Sequence, residues 1–202
     1  MIRKAVKHLK SADPVLAQLM EKIGPVSVKA RRVPVFHSLV QSIIYQQLSG
    51  KAADTILSRF MALFGDGQFP SPEQVLATDL ERLRSAGLSR PKAVYIRGIA
   101  EMAASGSLPT LEHCDQLGDA EILQRLTEMK GVGRWTVEMF LIFNLGRLDV
   151  LPVHDLGVRR GYQIAYRKRK LPEPEHLERF GAKWRPYRTV AARYLWRAVD
   201  SL

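Results

Sequence analysis

Asp155 lies twenty-two residues beyond the second glycine of a Lys130-Gly131-Val132-Gly133-Arg134 turn. Two glycines bracketing one apolar residue, between two helical patterns, predict a tight hairpin whose backbone N–H groups point outward. Amides of this kind at a helix start bind anions, and both Gly131 and Gly133 are read as taking positive φ so that an oxygen can approach. In a chain with 31 Lys+Arg the expected anion is a nucleic-acid phosphate. A carboxylate downstream of such a grip implies chemistry on the bound strand. Both features also have plainer uses. Glycine triplets join many helices, and an aspartate between Leu-Pro-Val-His and Leu-Gly-Val-Arg is a good N-cap for the helix that follows.

The elements needed to present these residues are helices. Ala120, Ile122, Leu123 and Leu126 form an apolar face before the turn, and Val137, Phe140, Leu141 and Phe143 form one after it. Upstream, Asp13-Pro14 reads as an N-cap with proline at the first position, opening a helix that ends by Gly24-Pro25. Helical spacing runs from Phe36 through Leu39, Val40, Ile43, Ile44 and Leu48, then through Ala52, Ile56, Phe60 and Phe64 to Gly65-Asp66-Gly67, with Ser49-Gly50 as an internal cap. Short helices follow Ser71-Pro72 and cover 79–86. Ser89-Arg90-Pro91 then starts one that reaches Ala104, with Val94, Ile96, Ile99, Ala100 and Ala103 on one side. Ser105–Leu117 reads as a polar linker, and helices are expected over 119–129, 134–145, 155–168, 173–182 and 186–201. On the last of these, Tyr187, Val190, Ala191, Tyr194, Leu195, Ala198 and Val199 make the apolar stripe, and Trp196 falls beside it. No stretch alternates long enough for a strand, so the expected class is all-α with roughly nine or ten helices. The expected organisation is one domain over 1–202 with two helical lobes and a cleft between them. One lobe covers 36–145 and carries the hairpin at 119–145; the other joins 1–35 to 146–202.

Composition narrows the partners. A chain of 202 residues with 46% hydrophobic content can bury a proper core, and a net charge of +11 favours a polyanion. Cys114 is the only cysteine, which excludes an internal disulfide and a four-cysteine metal site. The five histidines at 8, 37, 113, 154 and 176 show no ligand spacing, so neither a cofactor nor a divalent metal is expected. The N-terminus lacks an apolar signal core, and no apolar run approaches membrane-spanning length. The expectation is a soluble intracellular monomer, cytoplasmic and nucleoid-associated in a bacterium or archaeon.

The hairpin together with Val150-Leu151-Pro152-Val153-His154-Asp155 resembles the helix-hairpin-helix and aspartate loop of the HhH-GPD superfamily of base-excision DNA glycosylases. The resemblance covers roughly residues 30–202. It is nearest to the AlkA-type branch, the 3-methyladenine DNA glycosylase II type, without that branch's N-terminal β domain. It implies that Asp155 is catalytic and that His154 is only its loop neighbour. Members that also cleave the backbone carry a lysine just before the hairpin threonine; Trp135 stands there, and an indole cannot form a Schiff base. No C-terminal cysteine cluster is present. Trp184-Arg185-Pro186-Tyr187-Arg188-Thr189-Val190-Ala191 with Trp196 resembles the branch's final helix, where a tryptophan lines the base pocket.

On this resemblance the base pocket comprises Trp135, Trp196, Tyr45 and Met139, the last replacing a pocket tyrosine, and packing in the core is the plainer reading of Met139. Tyr45-Gln46-Gln47-Leu48-Ser49 resembles the loop carrying the DNA wedge, with Gln47, beside Leu48, at the wedge position. Phosphate contacts fall to Lys130, Gly131, Val132, Gly133, Arg134 and Thr136. A monovalent cation on the hairpin carbonyls near Met129 and Val132 also accords with the resemblance. The implied activity is monofunctional hydrolysis of the N-glycosidic bond of alkylated purines in duplex DNA by base flipping, leaving an abasic site. A glycosylase for oxidised or deaminated bases, and a helix-hairpin-helix module that binds DNA without chemistry, are the alternatives.

Overall fold

Six helix starts in this chain fall where the sequence supplies a capping side chain. The computed structural model describes residues 2–65 and 67–201, so Asp66 of the Gly65-Asp66-Gly67 turn lies outside the described residues. In chain order the helices are α1 (Ile2–Ala12), α2 (Pro14–Ile23), α3 (Val35–Tyr45), α4 (Gly50–Ala62), α5 (Pro72–Ala77), α6 (Leu80–Ser85), α7 (Arg90–Ala104), α8 (Leu111–Gln116), α9 (Asp119–Thr127), α10 (Arg134–Met139), α11 (Leu156–Ala165), α12 (Pro174–Gly181) and α13 (Arg188–Ser201). A π-helical turn, Phe140–Leu145, continues α10, and a 3-10 turn, Ala182–Trp184, continues α12. No strand occurs among the described residues, and no helix among them is long and apolar enough to cross a membrane. Asp13, Ser71, Asp79, Ser89, Thr110 and Asp155 each accept a first-turn backbone N–H, satisfying donors that a helix start leaves over.

The chain divides into two compact units: a terminal unit of Met1–Arg31 with Leu141–Leu202, and a central unit of Arg32–Phe140. The terminal unit is built on α13, against which α11, α2 and α1 pack. Leu9, Leu16, Val158, Tyr162, Trp184 and Leu195 form its core. In the central unit α7 packs on α3, α5 and α6, while α3 also receives α4 and α10. Its centre holds Leu39, Ile43, Phe60, Ile96 and Ile99.

Several expectations need correction. α1 was not expected, although Ile2, Ala5, Val6, Leu9 and Ala12 keep helical spacing, with Ala5 and Leu9 buried. α8 interrupts the supposed 105–117 linker; six residues give no periodic signal, although Thr110 caps it and Cys114 points inward. Ser49 stands at the N-cap position of α4 but its side chain makes no capping bond. On that helix Ala53, not Ala52, joins Phe60 in the core. Val94 and Val199 are exposed rather than part of their stripes.

One buried carboxylate organises the terminal unit. Asp13 Oδ1 caps α2 at Val15 N (3.1 Å) and Leu16 N (3.2 Å). Its Oδ2 accepts from Tyr166 Oη (2.5 Å), Trp184 Nε1 (2.9 Å) and Lys183 Nζ (3.0 Å). Burial pushes its pKa up, but the donors from Tyr166, Trp184, Lys183 and Leu16 outweigh that and hold it below the ordinary carboxylate range. Burial and the charge of Asp13 push the Tyr166 phenol well up, so it remains a donor.

A folded-state value below the unfolded one means that this stability is complete above the ordinary aspartate range, near ~3.9, and is lost as pH falls through the folded value. Asp13→Asn is therefore expected to cost about 3 kcal/mol at neutral pH, with the loss shrinking as pH drops below that range. Urea denaturation at a series of pH values checks both statements.

Candidate active site

Asp155 is the N-cap of α11 in the terminal unit, half-buried, with φ −71° and ψ 123°. Its Oδ1 accepts the Val158 amide at 2.8 Å, the capping bond the sequence predicts, and also the indole Nε1–H of Trp196 at 2.7 Å. The second bond comes from α13. Trp196 stands beside the stripe of that helix and is half-buried, with its ring stacked on Phe143 (centroids 5.6 Å apart, planes at 29°). The Arg193 guanidinium lies 4.4 Å from the Phe143 centroid and that of Arg31 lies 5.7 Å from it. Burial, with the charge of Arg31, holds Arg193 below its ordinary pKa.

The loop that delivers Asp155 is fastened at its start. Thr189 Oγ1 donates to Arg147 O (2.8 Å) and accepts from Val150 N (3.0 Å), while Thr189 N donates to Leu148 O (2.9 Å). Arg188 donates to the Asp149 carboxylate (Nε–Oδ1 2.8 Å) and to the Asp149 carbonyl (2.7 Å). His154, next to Asp155, is exposed.

The remaining sequence-predicted residues belong to the central unit. The hairpin joins α9 to α10. Gly131 has φ +88°, and a Cβ there would lie 2.3 Å from the Tyr95 ring, so a tyrosine of α7 packs against the turn. Gly133 has φ −86°, correcting the expectation of two positive-φ glycines, and as N-cap it leaves the start of α10 without a side-chain cap. Val132 is also corrected: its side chain is buried and its amide donates to Met129 O (3.0 Å), so that N–H does not face outward. Thr136 is buried too, its Oγ1 accepting from Gln46 Nε2 at 2.9 Å, so its hydroxyl does not face a phosphate. Lys130 and Arg134 are exposed, Arg134 Nε pairing with Glu138 at 2.8 Å. Trp135 is half-buried and Met139 is buried. Tyr45 ends α3 and donates its hydroxyl to Asp54.

Gln47 and Leu48 are exposed in the turn from α3 to α4, and Gln47 takes the left-handed φ of 58°. That turn is tied to the hairpin. Gln46 Nε2 donates to Gly131 O (3.0 Å) as well as to Thr136, and Lys92 Nζ donates to Ile44 O (2.9 Å) and Gln46 O (2.7 Å). Burial holds the Lys92 ammonium below its ordinary pKa. Sequence reasoning missed Gln46, Gly157, Phe143 and Thr189 as residues that position the site. The spacing of Gly157 and Gly161 within the helix that Asp155 caps was the one available signal. The Met129 carbonyl already accepts the Val132 N–H, which leaves it a second lone pair able to meet a hard cation.

The two hairpin glycines should respond differently to alanine. Gly131→Ala meets both a positive φ and the Tyr95 ring and is expected to cost about 2–4 kcal/mol. Gly133→Ala meets open space at an ordinary φ and is expected to stay within about 0.5 kcal/mol of the parent. Paired denaturation curves check the contrast.

The family described as HhH-GPD superfamily base excision DNA repair protein matches residues 40–186. DNA-3-methyladenine glycosylase 1 of Schizosaccharomyces pombe is 39% identical over 199 residues, spanning 97% of this chain and 87% of that protein. The solved structure of the Schizosaccharomyces pombe 3-methyladenine DNA glycosylase (Mag1) in complex with abasic DNA is similar at TM-score 0.91 and 38% identity, over 96% of this chain and 95% of that one. A DNA-3-methyladenine glycosidase from Bacillus halodurans is similar at TM-score 0.82 and 40% identity, over 98% and 89%.

Proposed function

Because the chain belongs to the HhH-GPD superfamily of base excision DNA repair proteins, we propose that it is a monofunctional glycosylase for alkylated purines in duplex DNA. It releases bases of the 3-methyladenine and 7-methylguanine type by hydrolysis and leaves an abasic site. The observation that carries this reading is Asp155, a carboxylate at a helix start whose Oδ1 is held by a capping amide and by an indole of another helix.

The N-glycosidic bond breaks with positive charge building on the sugar. A carboxylate near that carbon stabilises the charge and can orient or deprotonate the attacking water. An alkylated purine already carries positive charge, so it departs without a second acid, and one carboxylate suffices. A cationic base also gains about 0.5–2 kcal/mol on an electron-rich ring, which is the basis for assigning Trp196, Trp135 and Tyr45, with the Met139 thioether, to the extruded base. Trp135 offers no amine, and the Lys92 ammonium donates to the backbone carbonyls of Ile44 and Gln46, so strand cleavage through a Schiff base is not expected.

Duplex DNA is the partner that the +11 charge suits. Gly131, Lys130, Arg134 and the uncapped start of α10 are assigned to one phosphate group, and the carbonyls of Met129 and Val132 to a monovalent cation that would add positive charge there. Gln47 and Leu48, exposed on the turn fastened by Gln46 and Lys92, are assigned to the gap left by the extruded nucleotide.

Asp155→Asn keeps a good N-cap residue and should leave the fold intact. Single-turnover release of methylated purines is expected to fall by about 10²-fold or more while duplex affinity is retained. Near-parental release by this variant would remove the catalytic assignment, and a panel of alkylated, oxidised and deaminated oligonucleotides tests the lesion class. Affinity for undamaged duplex should fall steeply with salt, and Lys130→Ala or Arg134→Ala should each lower the slope of log K against log salt by about one.

A further inference from the structure

We propose that Trp196 is a positioning residue for the Asp155 carboxylate, its indole N–H fixing the rotation of the carboxyl group, with Gly157 conserving the space this needs. The inference rests on the reading of Asp155 as the catalytic carboxylate and adds a role distinct from stacking on a base.

Two donors converge on one oxygen. The Val158 amide, at 2.8 Å, is the bond any N-cap aspartate makes. The Trp196 Nε1–H, at 2.7 Å, approaches Oδ1 from α13, and together the two bonds set that plane and hence the direction of Oδ2. An indole nitrogen only donates, so the sense of this bond is not in doubt, and a bond to a carboxylate is among the stronger kinds.

The rest of the neighbourhood serves to place the indole. A Cβ on Gly157 would lie 2.8 Å from Trp196 Cδ1, 3.1 Å from Trp196 Nε1 and 3.1 Å from Asp155 Oδ1, so a side chain there would displace the ring from the carboxylate. One turn further along α11, a Cβ on Gly161 would lie 1.9 Å from the carbonyl oxygen of Leu195, the residue before Trp196. The backbones of α11 and α13 are therefore in direct contact, and the reach of the indole is set by two absent methyl groups. The stack on Phe143, itself faced by Arg193, fixes the plane of the ring. A wall for a base would need the ring face alone; neither the N–H geometry nor the clearance at Gly157 would be required.

Trp196→Phe keeps an aromatic ring and removes the N–H. Its single-turnover excision rate is expected to fall by about 10- to 100-fold, with affinity for DNA carrying an uncleavable abasic analogue unchanged. Gly157→Ala should lose a similar factor, and in the Trp196→Phe background it should add little, because both act on one contact. Excision by Trp196→Phe at the parental rate, or full additivity of the two losses, overturns the inference. Thermal melts of each variant establish that it is folded. A readout independent of activity is the indole ¹H–¹⁵N signal of Trp196, assigned among three tryptophans by its loss in Trp196→Phe. It should move upfield in Asp155→Asn, and a signal that does not respond overturns the inference. Absence of base release by the parent protein would instead strike the proposed function, leaving the indole signal to decide the contact on its own.

Discussion

Two helices can lie backbone against backbone only where side chains are missing. Along one face of α11 that condition is met by Gly157 and Gly161, four residues apart, so the Leu195 carbonyl of α13 sits where a Cβ would otherwise be. Each glycine inside a helix costs about 1 kcal/mol in propensity relative to alanine. The return is an approach close enough for an indole on one helix to reach a carboxylate capping the other. Loosening that approach by the width of a methyl group would break the 2.7 Å bond from Trp196 to Asp155. Thr189 and Arg188, at the start of α13, hold the loop before Asp155 from its other end, so a single helix controls both the approach and the orientation of the acid.

The central unit positions its exposed residues by a different device, polar struts in place of close packing. One amide nitrogen, Gln46 Nε2, supplies a bond to a hairpin carbonyl and another to a buried hydroxyl of α10. The Lys92 ammonium, drawn into the fold, caps the end of α3 through two carbonyls. Between these fixed points Gln47 is held in a left-handed conformation that a glutamine seldom adopts, and such strain persists only where its surroundings over-determine it. The Tyr95 ring of α7 packs against Gly131 as well.

Asp13 and Asp155 show how one local role acquires two uses. Both are N-caps and both accept first-turn amides. Asp13 is 1% exposed and surrounded by the phenol of Tyr166, the indole of Trp184 and the ammonium of Lys183, an arrangement that serves stability. Asp155 is half-buried and takes its indole partner from a helix whose contact face is cleared by glycines. A carboxylate with part of its surface open can meet a reacting sugar; one enclosed by donors cannot.

Much of this was legible in the residues themselves. The caps at Asp13, Ser89 and Asp155, the helix after Ser71-Pro72, the all-helical class and the glycine turn follow from local chemistry, because capping and chain reversal are decided within a few residues. α8 escaped because a helix of six residues carries too little periodicity. The availability of the hairpin amides, which left out Val132, depended on which carbonyl each N–H found. Nothing in the spacing of Asp155 and Trp196, forty-one residues apart, announces a hydrogen bond. That contact depends on how closely two helices pack, and packing distance is a property of the surfaces that meet, legible only once both are in place.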